Sequence, residues 1–151
     1  MVRALADNWQ VNAIVALHSG RPYDIIYEGD LANVGNTFVR ANLVADPTLP
    51  HPTPAAWFNT SAFAVPPPFT FGDSGRNSLR SDGYANIDFS LLRQFPLGDR
   101  VRLEFRAEAF NLTNGVVFAI PGNVINALGF GVVTSTANAP RQLQVALKLH
   151  F

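Results

Sequence analysis

The sequence contains no cysteine, so it can form neither disulfide bridges nor thiolate metal sites. It has little charge: 15% of the residues are charged and the formal net charge is zero, which excludes a basic field that would attract nucleic acid. No apolar run approaches the roughly 20 residues of a membrane-spanning helix, although 48% of the residues are hydrophobic. If this chain meets lipid, it must therefore do so with β-strands.

Four segments alternate between apolar and polar residues with a period of two, which is typical of strands with one face of each kind. The third could also form a helix, because Arg, Glu, Ala and Leu are good helix formers. A helix would place like charges four residues apart and scatter the apolar side chains, so we favour a strand. The predicted strands cover about residues 8–19, 85–95, 101–113 and 141–151.

The connections between these strands are long, short and long. Residues 96–100 form a tight turn, whereas residues 20–84 and 114–140 form long loops, with a short extension of the first strand expected at Tyr23–Tyr27. Long loops are unusual inside a compact soluble domain, but outer-membrane barrels carry them on one rim and short turns on the other. We therefore predict an all-β fold: the C-terminal four-strand antiparallel segment of a large transmembrane β-barrel with long extracellular loops.

Four strands cannot close a bacterial barrel, whose smallest form has eight, and open strand edges in lipid are costly. Residues 1–7 lack the apolar core of an export signal. We accordingly expect residues 1–151 to be the C-terminal portion of a longer barrel protein that ends at the periplasmic rim. The alternatives are a soluble secreted all-β binding module, and a small eight-strand barrel, which the proline-rich loops disfavour.

The loops and strands carry a series of short motifs whose order and spacing are more specific than any one of them. Together they resemble the C-terminal end of Oar-like TonB-dependent receptors, which are large outer-membrane proteins. The resemblance extends from about Trp9 to Phe151. The motifs are Ser19-Gly-Arg-Pro-Tyr-Asp24, Arg40-Ala-Asn-Leu-Val-Ala-Asp-Pro47, Trp57-Phe-Asn-Thr-Ser-Ala-Phe-Ala64, Phe71-Gly-Asp-Ser-Gly-Arg-Asn-Ser-Leu79, Asn86-Ile-Asp-Phe-Ser90, Phe105-Arg-Ala-Glu-Ala-Phe-Asn-Leu-Thr-Asn114 and the terminal alternation from Arg141.

The resemblance implies a barrel of about twenty-two strands with an N-terminal plug, located in the outer membrane of a Gram-negative bacterium. Such receptors take up large ligands with energy delivered from the inner membrane. The implied partners are outer-membrane lipid, the remaining barrel strands and the plug, and the barrel-assembly machinery. The TonB system would be reached only through an N-terminal part outside this sequence.

The resemblance also implies a role for the last residues. Outer-membrane barrels typically end in an aromatic residue with hydrophobic residues at alternate preceding positions, a pattern that the assembly machinery reads. Val145, Leu147, Leu149 and Phe151 match this pattern. The alternative interpretation is an ordinary half-buried terminal strand.

The third predicted strand carries a charge ladder, Arg102, Glu104, Arg106 and Glu108. These four residues share one face of a strand. We predict that they face the barrel lumen and pair with neighbouring strands or the plug, rather than form a row that contacts substrate, because a lipid-facing arginine is costly.

The remaining candidates lie in the first long loop. Its aromatic residues could bind a ligand, but packing within the loop is preferred because so many exposed aromatics would be a liability. Gly72-Asp-Ser-Gly75 resembles the nucleophile sequence of chymotrypsin-like serine proteases, yet none of the three histidines has the context of a triad partner. We predict a surface turn there, no enzymatic activity, and no metal or cofactor. The loop aromatics are Trp57, Phe58, Phe63, Phe69 and Phe71.

Overall fold

The structure is a computed structural model that describes residues 8–151. Within this range the chain is all-β: it has no α-helix, and one short 3₁₀ helix covers Thr60–Ala62. The strands, in chain order, are β1 (Trp9–His18), β2 (Pro22–Tyr23), β3 (Ile26–Glu28), β4 (Phe38–Arg40), β5 (Asn42–Leu43), β6 (Phe63–Ala64), β7 (Leu79–Arg80), β8 (Tyr84–Pro96), β9 (Arg102–Phe110) and β10 (Gln142–His150).

The four long strands form one antiparallel sheet in the order β1-β8-β9-β10. In its register, Trp9 lies opposite Arg93, Phe95 opposite Leu103, and Leu149 opposite Leu103 on the other side. The sheet is a meander in which the long β1–β8 connection and the short β8–β9 turn leave at opposite ends. The predicted four-strand antiparallel segment with long loops is confirmed.

The turn between β8 and β9 is tight. The amide of Leu97 donates to the carbonyl of Val101 at 2.9 Å, and Gly98 has a φ of 146°. Only glycine adopts this backbone conformation without steric cost. The glycine at this position therefore permits the short connection that the sequence predicts.

The third strand ends earlier than predicted. The expected span was 101–113, but β9 stops at Phe110 because Asn111 adopts a φ of 52°. This left-handed conformation breaks the alternation, and asparagine tolerates it better than most residues. The amide of Leu112 then donates to the carbonyl of Ile87 at 2.7 Å. Residues 111–113 thus form a bend that folds back on the sheet.

Residues 19–83 and 117–138 form a second compact unit, here called the loop unit. Three short antiparallel pairs hold it: β2 with β7, β3 with β4, and β5 with β6. The expected extension of the first strand at Tyr23–Tyr27 is found only at its start: β2 pairs with β7 in the same register as β1 with β8, whereas β3 pairs with β4. The backbone of Gly20 lies so close to that of Ser81 that a Cβ on residue 20 would be 1.8 Å from the carbonyl oxygen of Ser81.

The two long loops are joined inside this unit. The amide of Ile26 donates to the carbonyl of Asn123 at 3.0 Å, and the amide of Ile125 donates back to Ile26 at 2.8 Å. The side chain of Asn123 also donates to the carbonyl of Asp24 at 2.8 Å. A core then buries apolar side chains from both loops. It contains Tyr23, Ile25, Ala41, Phe58, Ala62, Phe63 and Ile125.

Charged side chains stabilise turns at the surface of the loop unit. The carboxylate of Asp30 accepts hydrogen bonds from the amides of Val34 at 3.0 Å and Gly35 at 2.7 Å. These bonds, the one from Val34 above all, lower the pKa of Asp30 below its ordinary value. Asp30 therefore stays ionised as the pH falls towards the acid range, and it closes the 30–35 turn as an anion.

Candidate functional site

The sheet has one apolar and one polar face along all four strands. Directly paired residues lie on the same face, so the register assigns every side chain. The polar face also includes a few apolar residues, which are Ile14, Ala16, Leu92, Phe110 and Ala146. The apolar face contains Trp9, Val11, Ala13, Val15, Leu17, Ala85, Ile87, Phe89, Leu91, Phe95, Leu103, Phe105, Ala107, Ala109, Leu143, Val145, Leu147 and Leu149.

The apolar face is open along its two outer strands. Leu17 and Leu143 are each 72% exposed, and Leu147 is 68% exposed. A contiguous exposed aliphatic surface on one side of a sheet is typical of a surface that contacts a membrane or another protein. The four residues of the predicted assembly signal belong here: Val145, Leu147 and Leu149 project from the edge strand β10, and Phe151 follows it with 99% exposure.

The predicted charge ladder lies on the opposite face, and its central members interact. The guanidinium of Arg106 is 3.3 Å from the carboxylate of Glu104 and 3.9 Å from that of Glu108. Arg102 lies at the end of β9 beside the turn, between Pro96 and His150 in the register. Three of the four residues thus form one ion-paired row along β9.

Neighbouring strands add polar partners to this row. The side chain of Gln94 on β8 donates to Glu104 at 3.4 Å, and the imidazole of His150 on β10 lies 3.8 Å from the same carboxylate. Lys148 is opposite Glu104 in the register, and Gln144 is opposite Glu108. The two ion pairs of Arg106 lie within β9, so pairing of these charges with neighbouring strands or the plug stays a prediction. Whether the row faces a lumen stays a prediction.

Arg93 is the one charged residue on the apolar face of the described sheet. Its guanidinium lies 4.9 Å from the centre of the Trp9 ring and 4.5 Å from that of Phe95, and the residue is only 7% exposed. Such cation–π contacts stabilise a cation that has been removed from water. Arg93 also lies three residues from the end of β8, beside the short turn.

The loop aromatics divide into two groups. Phe58 and Phe63 are buried and contact each other edge to face at 5.7 Å, while Trp57 contacts Phe118 at 5.8 Å. Phe69 and Phe71 are instead 77% and 65% exposed. Sequence reasoning missed Tyr23, which lies against Phe58 in the core at 6.4 Å. A ligand-binding role for the five aromatics stays a prediction.

The Gly72-Asp-Ser-Gly75 segment forms a packed turn in the loop unit. The carboxylate of Asp73 accepts from the amide of Leu43 at 2.8 Å, and the amide of Asp73 donates to the side chain of Asn42 at 3.1 Å. Ser74 is 2% exposed, and its amide donates to the carbonyl of Ala41 at 3.1 Å. These contacts give the motif a structural role next to β5.

Asn111 is a structural residue that the sequence did not single out. Its side-chain nitrogen donates to the carbonyls of Gly115 at 2.9 Å and Ala139 at 3.0 Å, and its oxygen accepts from the amide of Gly115 at 3.0 Å. Its own amide donates to the carboxylate of Asp88 at 2.9 Å. The side chain therefore ties the end of β9 to the segment that enters β10.

Replacing Asn111 by alanine should lower the free energy of unfolding by about 1–2 kcal/mol, because three partly buried hydrogen bonds are lost and alanine disfavours the left-handed backbone conformation at this position. Urea titration of the protein in lipid vesicles would measure the change. The matched control is Asn12→Ala, which removes two exposed bonds of 3.2 Å, one donated to Ser90 and one accepted from Gln10. Equal effects of the two substitutions would contradict the structural role of Asn111.

No group of three or more His, Asp or Glu side chains among residues 8–151 is arranged to hold a metal ion. No helix in the same range is long and apolar enough to cross a membrane.

Comparison with known proteins gives one result. The family model described as "Outer membrane beta barrel domain" matches residues 1–144, which is nearly the whole chain. Searches of curated proteins and of solved structures return no significant match. The two-faced antiparallel sheet and its long loops agree with this family, whose members reside in the outer membrane. The chain belongs to the outer membrane beta barrel domain family.

Proposed function

We propose that the chain supplies closing strands and two long loops to the barrel of a TonB-dependent receptor, which takes up a large ligand across the outer membrane of a Gram-negative bacterium. The observation that carries the proposal is the division of the sheet into an exposed apolar face and a charged polar face. In a barrel, the apolar face would contact lipid and the ion-paired row on β9 would line the interior.

The outer strands of the sheet support the same proposal. Neither β1 nor β10 has a second partner strand among the described residues, so each presents a row of unpaired backbone groups. These groups must be satisfied inside a bilayer, and further barrel strands would satisfy them. We propose that β10 is the closing strand, and that Val145, Leu147, Leu149 and Phe151 are read by the barrel-assembly machinery.

The proposal that the protein is a receptor is more specific than its membership of the outer-membrane barrel family. It is supported by the order of the sequence motifs, which resembles that of Oar-like TonB-dependent receptors. The loop unit adds support, because a barrel that binds a large ligand needs structured surface loops. Contact with TonB would be made by a plug that precedes the barrel strands. We propose no enzymatic activity, since Ser74 is buried and Asp73 is engaged with backbone and side-chain partners.

The soluble binding module remains the second candidate, and the exposed aliphatic residues disfavour it. A soluble sheet would leave Leu17, Leu143 and Leu147 in water on one contiguous face. Patches of this kind are rare on soluble monomers and promote aggregation.

Cell fractionation combined with formaldehyde cross-linking would test the proposal. The polypeptide tested is the one that carries both this chain and the proposed plug, detected in its native cells with an antibody against residues 20–84. It should sediment with the outer membrane and form an adduct with TonB in energised cells, and the adduct should vanish in cells that lack TonB. A protein that reaches the outer membrane but forms no adduct would overturn the receptor assignment and leave barrel membership intact. A protein found only in the soluble fraction would instead support the binding module.

A further inference from the structure

The sequence contains a single Asn-Gly dipeptide, Asn114-Gly115, which follows the end of β9. Asn-Gly is the dipeptide in which an asparagine side chain deamidates most readily, because glycine has no Cβ to hinder the approach of its own amide nitrogen. The side chain of Asn114 is exposed, and Gly115 is half-buried. Residues 111–115 therefore contain a reactive pair next to the bend that ends β9.

The fold explains the asparagine of this pair but not the glycine. Asn114 has a φ of 53°, a conformation that asparagine tolerates, and its side-chain oxygen accepts from the amide of Arg141 at 3.1 Å. Gly115 does not have a left-handed φ, and a Cβ there would come no closer than 3.6 Å to any neighbour, the hydroxyl of Thr113. Alanine would fit at residue 115, so steric demand does not account for the glycine.

The side chain of Asn111 holds both backbone groups of Gly115. Its oxygen accepts from the amide of Gly115 at 3.0 Å, and its nitrogen donates to the carbonyl of Gly115 at 2.9 Å. The same nitrogen donates to the carbonyl of Ala139 at 3.0 Å. Because Asn111 is only 5% exposed, water replaces these bonds only when the 111–115 segment opens.

Deamidation of Asn114 uses the amide nitrogen of Gly115 as its nucleophile. This nitrogen gives up its proton to a base in water and attacks the side-chain carbonyl carbon of Asn114. A carbon–nitrogen bond forms, and the side-chain nitrogen takes up a proton and leaves as ammonia. Water then opens the succinimide ring to give aspartate or isoaspartate, and isoaspartate adds one methylene to the main chain. In the folded chain both reacting groups are held by other partners, Asn111 and Arg141.

We infer that Asn114 is a deamidation site of the unfolded chain, and that folding protects it through the side chain of Asn111. A folded chain reacts only when the 111–115 segment opens, whereas an unfolded chain reacts continuously. Isoaspartate at residue 114 would displace Gly115 from Asn111 and so weaken the connection between β9 and β10. A chain that folds late would thus carry a covalent change that hinders folding. The inference rests on this segment alone and not on receptor function.

Peptide mass spectrometry of the intact protein would test the inference. Protein folded in detergent and protein unfolded in guanidinium chloride would be incubated in the same mildly alkaline buffer. Trypsin then releases residues 107–141 as one peptide, and fragmentation locates the mass increase at each asparagine. Asn114 should deamidate at least about tenfold faster in the unfolded protein than in the folded protein. Equal rates would overturn the inference.

Asn111→Ala should raise the rate at Asn114 in the folded protein towards that of the unfolded chain. The matched control is Asp88→Ala, which removes the acceptor of the Asn111 amide and of the Asn86 side chain. It loosens the same segment but leaves the bonds between Asn111 and Gly115, so its rate should stay near that of the parent. An unchanged rate in Asn111→Ala, or an equal increase in Asp88→Ala, would show that Asn111 does not protect the site.

Gly115→Ala separates the chemistry from the fold, because the folded segment has room for the additional methyl group. In guanidinium chloride, Asn114 of this variant should deamidate about tenfold more slowly than in the parent protein. After equal ageing in denaturant, a larger fraction of the variant should refold on transfer to detergent. If the two proteins deamidate at the same rate, or refold equally well after ageing, the inference is wrong.

Discussion

Val15→Arg is expected to keep most of the protein out of the outer membrane. Val15 lies near the middle of β1 on the apolar face, opposite Ile87, and is 59% exposed. If this face contacts lipid, an arginine there costs about 2–4 kcal/mol at the bilayer midplane. That cost is a large fraction of a typical folding free energy. The amount of heat-modifiable, folded protein in outer-membrane fractions would measure the effect.

The control for this experiment is the neighbouring residue. Ile14 is also β-branched and is 68% exposed, but it lies on the polar face opposite Asp88. Ile14→Arg introduces the same charge one residue away, where a carboxylate can pair with it. We expect near-normal assembly. If the two variants assemble equally well or equally badly, the faces have been assigned wrongly.

Gly72→Ala is expected to unfold the part of the loop unit around β5. A Cβ at this position would lie 1.9 Å from the carbonyl oxygen of Arg40 and 2.6 Å from that of Ala41. Backbone atoms cannot yield as a flexible side chain can, so the turn must separate from β4 and β5. We estimate a local destabilisation of about 3 kcal/mol. Hydrogen exchange of the intact protein should show lost protection at the amides of Leu43 and Ser74.

Gly75→Ala offers a control three residues away in the same motif. A Cβ at Gly75 would meet only the Cβ of Ser78, at an ordinary distance of 3.7 Å. Exchange in the loop unit should therefore remain as in the parent protein. Lost protection in both variants would mean that the motif is sensitive to any side chain, and the close approach of Gly72 to Arg40 would not be the cause.

The sheet could be predicted from the sequence because its determinants are local. The alternation of apolar and polar residues along a single strand, as in residues 141–151, predicts which residues share a face. The segment Pro96-Leu-Gly98 predicts the turn. The misjudged boundary at Thr113 has a different origin. Asn111 ends β9 through contacts with Gly115 and Ala139, and the second of these lies 28 residues away. The alternation of apolar and polar residues along a strand does not predict a contact of this kind.

The loop unit could not be predicted for a related reason. Its strands are two or three residues long, too short to show a period, and β2 and β5 pair with strands that lie about 20 to 60 residues later in the chain. Tyr23 pairs with Leu79, and the hydrogen bond between the amide of Ile26 and Asn123 joins separate loops. The aromatic residues were noted in the sequence, but only the fold distinguishes buried Phe58 and Phe63 from exposed Phe69 and Phe71.

The hydrogen bonds between Ile26 and the segment Asn123–Ile125 have an evolutionary consequence. Surface loops of outer-membrane proteins meet phages and antibodies, and independent loops can change one at a time under that pressure. Here the backbone at Ile26 is hydrogen-bonded to a segment nearly one hundred residues later, so an insertion or deletion that displaces one of the two segments would also displace the other. Variation in these two loops should be correlated, and the pair should diversify as a single antigenic unit.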